Sequence, residues 1–269
     1  MKSGVSMAQE AVFIGRNVNE RRRQLIQLLE EHQQLTVHEI SVTLNVSEVT
    51  VRQDLIALEK EGALQRTWGG AALPLPGRKE GTFASRLEVQ KFEKQAIAAA
   101  AVELIEDGDT LLLDASTTAF AMARRIKDLK KDLYIITNGL YAALELANNP
   151  TLTVVSLGGI VRGDTGSLVG TLGEEVLARL YAGKGFFSAR GLTLRQGLSE
   201  SNIQEAQLKA LMIQHSQQVI AVVDSTKLGQ TSFSSFCPFD RIDRLITAGN
   251  GAKERSTPFS ENGLQITIV

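Results

Sequence analysis

At 269 residues the chain is long enough for about two domains, and its 43% apolar content is ample for buried cores. No apolar run can span a bilayer, the first residues lack the apolar centre of a signal peptide, and the single Cys237 excludes an internal disulfide. A reducing cytoplasm is expected, with Met7 as a second candidate start. The 29 basic and 30 acidic side chains nearly cancel, which excludes a globally basic nucleic-acid binder; any DNA contact must come from locally focused charge.

In chain order, the first predicted element is a helix with Leu25, Ile26 and Leu29 on one side. Its Arg21-Arg22-Arg23 triplet reads either as a solvated helical turn or as part of a basic surface, with Arg22 as the candidate DNA contact. Two short helices follow. Val37, Ile40 and Leu44 share a face of the first, Val51, Leu55 and Leu58 share a face of the second, and Asn45-Val46-Ser47 supplies the turn and an N-cap. With the second helix so oriented, the 100° step per residue turns Val49, Arg52, Gln53 and Ile56 outward, toward a major groove. Helical hairpins of this kind also occur in proteins that never meet DNA. What tips the reading is Leu64 to Trp68, a short alternating β-prone run closed by Gly69-Gly70, which suits a wing carrying Arg66. Trp68 reads as a packing residue between wing and helix.

Residues 1–72 hold eight basic side chains against nine acidic ones. DNA binding therefore requires charge concentrated on one face and two or more copies acting together. Leu73 to Gly81, LPLPGRKEG, breaks every periodicity and marks a linker. The expected organisation is a winged helix-turn-helix domain at 17–72, a linker at 73–84 and a larger α/β domain at 85–269.

The second domain is expected to open with one long helix from Ser85 through Ile105, ended by Asp107-Gly108-Asp109. Apolar runs at Thr110 to Leu113, Leu133 to Ile136, Thr153 to Leu157, Gly185 to Phe187 and Val219 to Val223 read as buried strands. A last pairing falls at Leu245-Ile246 or Ile266 to Val269. The intervening helices predict a largely parallel sheet covered on both faces. In such sheets ligands sit beyond the carboxyl ends of the strands. There Asp114-Ala115-Ser116-Thr117-Thr118 opens a helix whose unpaired N–H groups and hydroxyls suit a phosphate, with Asp114 as a sugar-hydroxyl acceptor. A plain N-cap cluster has the same sequence. Thr137-Asn138-Gly139, Gly158-Gly159-Ile160-Val161-Arg162 and Asp224-Ser225-Thr226-Lys227 end other strands in small or hydrogen-bonding residues; Arg162, Lys209 and Lys227 are the candidate cations.

The order Ser47-Glu48-Val49-Thr50-Val51-Arg52-Gln53-Asp54-Leu55, then Leu58 to Arg66, resembles the DeoR family of bacterial sugar-metabolism repressors, in which S-x-x-T-I/V-R-R-D-L-x-x-L-E-x-x-G-x-L-x-R-x-H-G-G-A is typical. Gln53 stands for a usual arginine and Trp68 for a usual histidine; glutamine pairs with an adenine edge where arginine favours guanine, so a changed base preference is expected. The likeness extends over nearly the whole chain. Asp114 to Thr118 resembles the family's D-x-G/S-T-T, Thr137-Asn138 its T-N, Leu157 to Arg162 its L-G-G-x-x-R, and Asp224 to Gly229 its D-S-S/T-K-x-G. The helix Ser201 to His215 also resembles the family's. Phe186 to Leu192 departs from the common F-L-G-A-x-G-I by Ser188 in place of glycine, with Arg190 at the variable position.

The resemblance implies a winged helix-turn-helix joined to an α/β effector domain with a fold similar to ribose-5-phosphate isomerase. It implies a repressor of a carbohydrate operon, relieved by a sugar phosphate. Its partners are operator DNA, the phosphosugar and further copies of itself as a dimer or tetramer; no cofactor, metal or membrane is called for. Ser47 and Thr50 are assigned to backbone phosphates, Arg52 and Gln53 to base edges, and Arg66 to the wing contact. Asp114, Ser116, Thr117, Thr118, Asn138, Gly158, Gly159, Arg162, Lys209, Asp224 and Lys227 are assigned to the effector.

The rival reading is a phosphosugar isomerase. Isomerases of that fold place acidic residues where this chain has Ser188-Ala189-Arg190-Gly191. Asp114 or Glu205 would have to substitute, and the sequence gives neither a partner at fixed spacing. His32, His38 and His215 are too scattered for a metal site or a Ser-His-Asp arrangement.

Overall fold

The computed structural model describes residues 18–32, 34–60, 63–67, 69–72, 81–129 and 131–269, without the side chains of Asn19, Glu30, Lys60, Gln65 and Arg66. Trp68 and most of the expected linker lie outside the described residues. The chain forms two compact units, Met1–Val89 and Gln90–Val269.

The first unit runs α1 (Val18–His32), β1 (Gln34–Thr36), α2 (Val37–Leu44), α3 (Glu48–Lys60), β2 (Gln65–Thr67), β3 (Gly70–Ala72) and α4 (Phe83–Glu88). The expected apolar faces meet: Leu25, Leu29, Ile40, Leu44, Val51, Leu55, Leu58 and Leu64 form one core. Each such buried side chain contributes about 1.5–3 kcal/mol. Thr36 starts α2 through a capping box, taking the Glu39 N–H on its hydroxyl while Glu39 takes the Thr36 N–H. Asn45 ends α2 in the left-handed region at φ 51°, and Ser47 caps α3 by accepting the Thr50 N–H at 3.2 Å. The wing hairpin β2–β3 gains an unforeseen third strand, β1, giving the antiparallel order β1-β3-β2. Gly70 permits this, because a Cβ there would lie 2.1 Å from the Leu35 carbonyl oxygen.

The second unit opens with α5 (Lys91–Val102). The single helix expected over 85–105 is thus two, α4 and α5, separated at Val89 and at Gln90, whose φ of 51° no right-handed helix can contain. The boundary expected at 84/85 falls inside α4, which Thr82 rather than Ser85 caps. Then follow β4 (Thr110–Leu113), α6 (Thr117–Ile126), β5 (Leu133–Thr137), α7 (Leu140–Leu146), β6 (Leu152–Ser156), β7 (Ile160–Arg162), β8 (Ser167–Val169), α8 (Thr171–Leu177) and β9 (Ala182–Phe187). The chain continues through β10 (Gly191–Thr193), β11 (Gly197–Glu200), α9 (Ile203–Gln214), β12 (Ser216–Val222), β13 (Ser234–Cys237), β14 (Arg244–Thr247), α10 (Ala252–Glu261) and β15 (Gln265–Ile268).

Seven strands form one sheet in the order β15-β14-β12-β9-β4-β5-β6, every pair parallel. Apolar side chains cover both faces. Ile97, Met122, Leu111 and Ile220 belong to one core, and Leu112, Phe187, Met212 and Phe259 to the other. Both alternatives for the last pairing, 245–246 and 266–269, are strands, and they pair with each other. From β4 the chain moves outward through β5 to β6, then returns to the other side of β4 as β9 and continues to β12, β14 and β15. The order reverses between β4 and β9, and the carboxyl ends of strands at such a point are where open sheets bind ligands. Two short antiparallel additions stand there, the sheet β10-β11-β13 and the ribbon β7-β8.

Candidate functional site

On α3 the expected outward face is the exposed one. Val49 is 62% and Ile56 41% exposed, and Arg52 and Gln53 lie between them in the open. Arg52 donates to Glu48 at 2.7 Å, an i, i+4 pair on an exposed surface worth only a few tenths of a kcal/mol, so a nucleic-acid phosphate can compete for it. The Ser47 and Thr50 hydroxyls are hydrogen bonded to each other at 2.9 Å beside the helix start. The arginine triplet divides in a way the sequence did not show. Arg21 is buried and places Nε 2.5 Å from Asp54, Arg22 reaches the other Asp54 oxygen at 3.0 Å, and only Arg23 is exposed. Asp54 is itself 2% exposed, so the two arginines tie α1 to α3. Arg66 has its backbone in β2 opposite Ala71, while its side chain lies outside the described residues.

In the second unit, neighbouring strand ends bring together most of the expected effector residues. Asp114 follows β4 and is fully buried. One carboxylate oxygen accepts the Ser116 N–H at 3.0 Å, and the other accepts the Ser188 N–H at 2.8 Å across the reversal point. Ser116 caps α6 by accepting from the Ala119 N–H at 3.0 Å, which leaves the first-turn N–H groups of Thr117 and Thr118 at the head of the helix. Asn138 follows β5; its amide donates to the Leu168 carbonyl, and its own buried oxygen has no hydrogen-bond partner. Asp224 follows β12 and caps the short turn Ser225–Lys227 by accepting the Thr226 N–H. Lys227 is half-buried in that turn, and among the described residues no carboxylate pairs with it.

The other two expected cations are already compensated. Lys209 on α9 lies 2.9 Å from Asp114, donates to Glu200 at 2.6 Å and to the Ser188 carbonyl at 2.9 Å, and sits 5.0 Å from the centre of the Phe236 ring. An ammonium has three donors, and three acceptors surround this one. Burial pulls its pKa down, but Asp114, Glu200 and Glu205 outweigh that and hold it above the usual lysine range. Arg162 at the end of β7 donates to Glu205 at 2.6 Å, and Glu205 also accepts from the Ser167 and Thr165 hydroxyls. Burial pushes the Glu205 pKa up, yet Lys209, the Ser167 hydrogen bond and Arg162 together bring it below its ordinary value. Asp114 and Glu205 thus do have basic partners, contrary to the sequence expectation, and those partners lock both carboxylates in place.

Gly158 and Gly159 stand apart, at the root of the ribbon. A Cβ on Gly159, whose φ is 123°, would lie 2.4 Å from the Val169 carbonyl oxygen. This glycine lets β7 close on β8, a need internal to the ribbon and separate from the ligand approach expected at that position.

Sequence reasoning missed three members of this neighbourhood. Glu200 links Lys209 to Arg190, whose Nε lies 3.9 Å from it. Ser167 and Thr165 complete the cage around Glu205. Nothing local marked Glu200, because its role depends on the register of β11. No cluster of metal-ligating side chains occurs among the described residues, and no helix among them is long and apolar enough to cross a membrane.

Two family models match: a DeoR-like helix-turn-helix domain over residues 21–75 and a DeoR C-terminal sensor domain over residues 89–248. The HTH-type transcriptional regulator GolR of Listeria innocua is 38% identical over 250 residues, covering 93% of this chain and 98% of that protein. The HTH-type transcriptional repressor GlcR of Bacillus subtilis is 35% identical over 250 residues, with 93% and 96% coverage. A lactose phosphotransferase system repressor of Staphylococcus epidermidis is 35% identical over 243 residues, with 89% and 95% coverage. Among solved structures, ribose 5-phosphate isomerase A of Methanocaldococcus jannaschii superposes with a TM-score of 0.39 at 16% identity, over 51% of this chain and 54% of that one, a likeness too slight to bear on chemistry. The helix-turn-helix with its winged sheet, the sensor unit that follows it in the chain and relatives spanning nearly the whole length agree. The chain belongs to the DeoR family of helix-turn-helix transcriptional regulators.

Proposed function

We propose that this protein represses a carbohydrate-metabolism operon and releases its operator when a phosphorylated sugar binds at the carboxyl ends of β4, β5, β9 and β12. The observation that carries this reading is the convergence, at the point where strand order reverses, of a helix N-terminus bearing Ser116, Thr117 and Thr118 with the uncompensated Lys227 and the unmet acceptor of Asn138. The likeness to repressors such as that of the lactose phosphotransferase system supports the sugar class.

In this reading the α6 N-terminus, Ser116 and Lys227 hold the phosphate. Asn138 and Asp224 face hydroxyls, while Asp114, whose oxygens are already taken, holds the Ser116 and Ser188 segments in place. Lys209 and Arg162 act as positioning residues, since buried carboxylates already occupy them; Gly158 and Gly159 shape the ribbon that carries Arg162. On the DNA side, Arg52 and Gln53 read base edges, while Ser47, Thr50, Arg66 and the outer part of Arg22 contact backbone phosphates. Two copies act together, because eight basic against nine acidic side chains give one module little attraction of its own. The protein binds its phosphosugar without turning it over. Asp114 is saturated by two N–H groups and Lys209, and Glu205 by Arg162 and two hydroxyls, so neither stands ready as a proton shuttle. Release needs a coupling of only about 1–3 kcal/mol between the two sites.

The test is binding of the protein to DNA upstream of its own gene at fixed salt, titrated with sugar phosphates and their unphosphorylated parents. Release by a phosphorylated sugar and not by its parent is expected. Turnover of any panel member, with no specific DNA binding, would overturn the reading in favour of an enzyme.

A further inference from the structure

We propose that Arg190 and Glu200 form the specificity-determining pair of the effector crevice, reading one hydroxyl of the sugar; the inference rests on the phosphosugar reading above. Both residues are fixed by the same antiparallel ladder. The Arg190 N–H donates to the Ser199 carbonyl at 2.9 Å, the next residue Gly191 pairs with Ser199, and Glu200 ends the partner strand β11. Their side chains therefore face each other without depending on loop conformation. Arg190 Nε lies 3.9 Å from Glu200 Oε2, beyond direct hydrogen bonding. One oxygen set at about 2.8 Å from each fits that gap, accepting from Nε–H and donating its own proton to the carboxylate. A sugar hydroxyl has this dual character, whereas a phosphate oxygen or a carbonyl cannot donate.

Burial gives the pair its direction. Along the chain of charges Arg190, Glu200, Lys209 and Asp114, side-chain exposure falls from 31% to 7%, 4% and 0%. Arg190 is the end that a ligand meets first. Glu200 Oε1 is taken by Lys209, and Oε2, which also receives the Ser201 N–H at 3.4 Å, is the oxygen turned to Arg190. Lys209 holds that carboxylate in place. Arg190 follows β9 just past Ser188, whose N–H shares the Asp114 carboxylate with the Ser116 N–H, so a phosphate held at α6 directs the body of the sugar toward the pair.

The experiment measures release of the full-length protein from its upstream DNA by glucose 6-phosphate, galactose 6-phosphate, fructose 6-phosphate and fructose 1-phosphate, and by monodeoxy analogues of whichever sugar acts. It compares wild type with Arg190→Gln and Arg190→Lys. Wild type is expected to discriminate against one monodeoxy analogue by about tenfold or more, the worth of a hydrogen bond to a charged group. Arg190→Gln should require about tenfold more of the parent sugar and no longer distinguish it from that analogue, with unchanged DNA affinity when no sugar is present. Arg190→Lys should remain impaired, since a point charge does not reproduce the fixed Nε–H. Equal responses of Arg190→Gln and wild type across the panel overturn the inference and leave the phosphosugar reading standing. A wild type that no phosphosugar releases overturns both.

Discussion

Lys209 shows how a residue that reads as a ligand-binding cation acquires a different role once its surroundings are set. Buried beside Asp114 and Glu200, it neutralises two carboxylates that otherwise face desolvation alone. Lys209→Met keeps the length of the side chain and removes the charge, so both carboxylates lose their nearest buried countercharge. A loss of about 3–5 kcal/mol is expected for breaking such a cluster. Urea unfolding should show it as a lowered midpoint with little change in slope, and a midpoint like that of wild type would mean that the two carboxylates do not depend on Lys209. Cys237 lies at the other extreme. Burial pushes its thiol pKa up to about 12, and it serves as a small core residue of β13.

Among the elements, the winged module depends on two contacts between segments distant in sequence. Arg21 and Arg22 of α1 clasp Asp54 of α3, and β1 completes the wing sheet against β3. The second contact has a single point of failure at Gly70. Gly70→Ala puts a methyl group 2.1 Å from the Leu35 carbonyl oxygen, so β1 and β3 must part. DNA affinity should fall by roughly tenfold or more, the equivalent of at least 1.4 kcal/mol, while calorimetric binding of the releasing sugar phosphate is retained. Unchanged operator affinity in this variant would show that the third strand is dispensable for presenting α3. In the sensor unit, the ribbon β7–β8 and the sheet β10-β11-β13 play the corresponding part. They carry Arg162 and Glu200 to the strand ends, where the parallel sheet alone would leave a shallower rim.

The whole molecule registers the buried charges as a dependence of stability on pH. Glu205 is ionised below its ordinary pKa of 4.5, because Lys209, Ser167 and Arg162 outweigh the cost of burial. A lowered folded pKa means that this stabilisation is complete above the unfolded value and is lost as pH falls through the folded one. Glu205→Gln should therefore flatten the acid side of the stability curve below about pH 4.5, as read by urea midpoints across that range. An acid limb as steep as that of wild type would place the titrating group elsewhere. The same separation of parts should hold in function: charge locked inside the sensor unit sets its stability, while the exposed Arg52 and Gln53 and the half-buried Arg190 and Lys227 meet the partners.

Much of this was legible from residue order alone. The three-helix core, the outward face of α3, the strands β4, β5, β6, β9 and β12, and the polar strand ends all follow from local periodicity, because side-chain direction repeats every 3.6 residues on a helix and every two on a strand. The family is equally legible from its motifs. The third wing strand and the short antiparallel additions were not, since strands of three or four residues without a continuous apolar run carry too little pattern to register, and the break at Gln90 is a backbone conformation that its side chain does not announce. Nor was the state of the charges. Arg162, Lys209 and Lys227 look alike in sequence, yet two are paired with carboxylates from other elements and one is not. Propensity and burial pattern are local properties, so the sequence determined the elements and the kind of protein. Which cation is spent and which stays available depends on distances of 2.6–2.9 Å between segments dozens of residues apart, and only the folded sheet, by setting register and strand order, decided them.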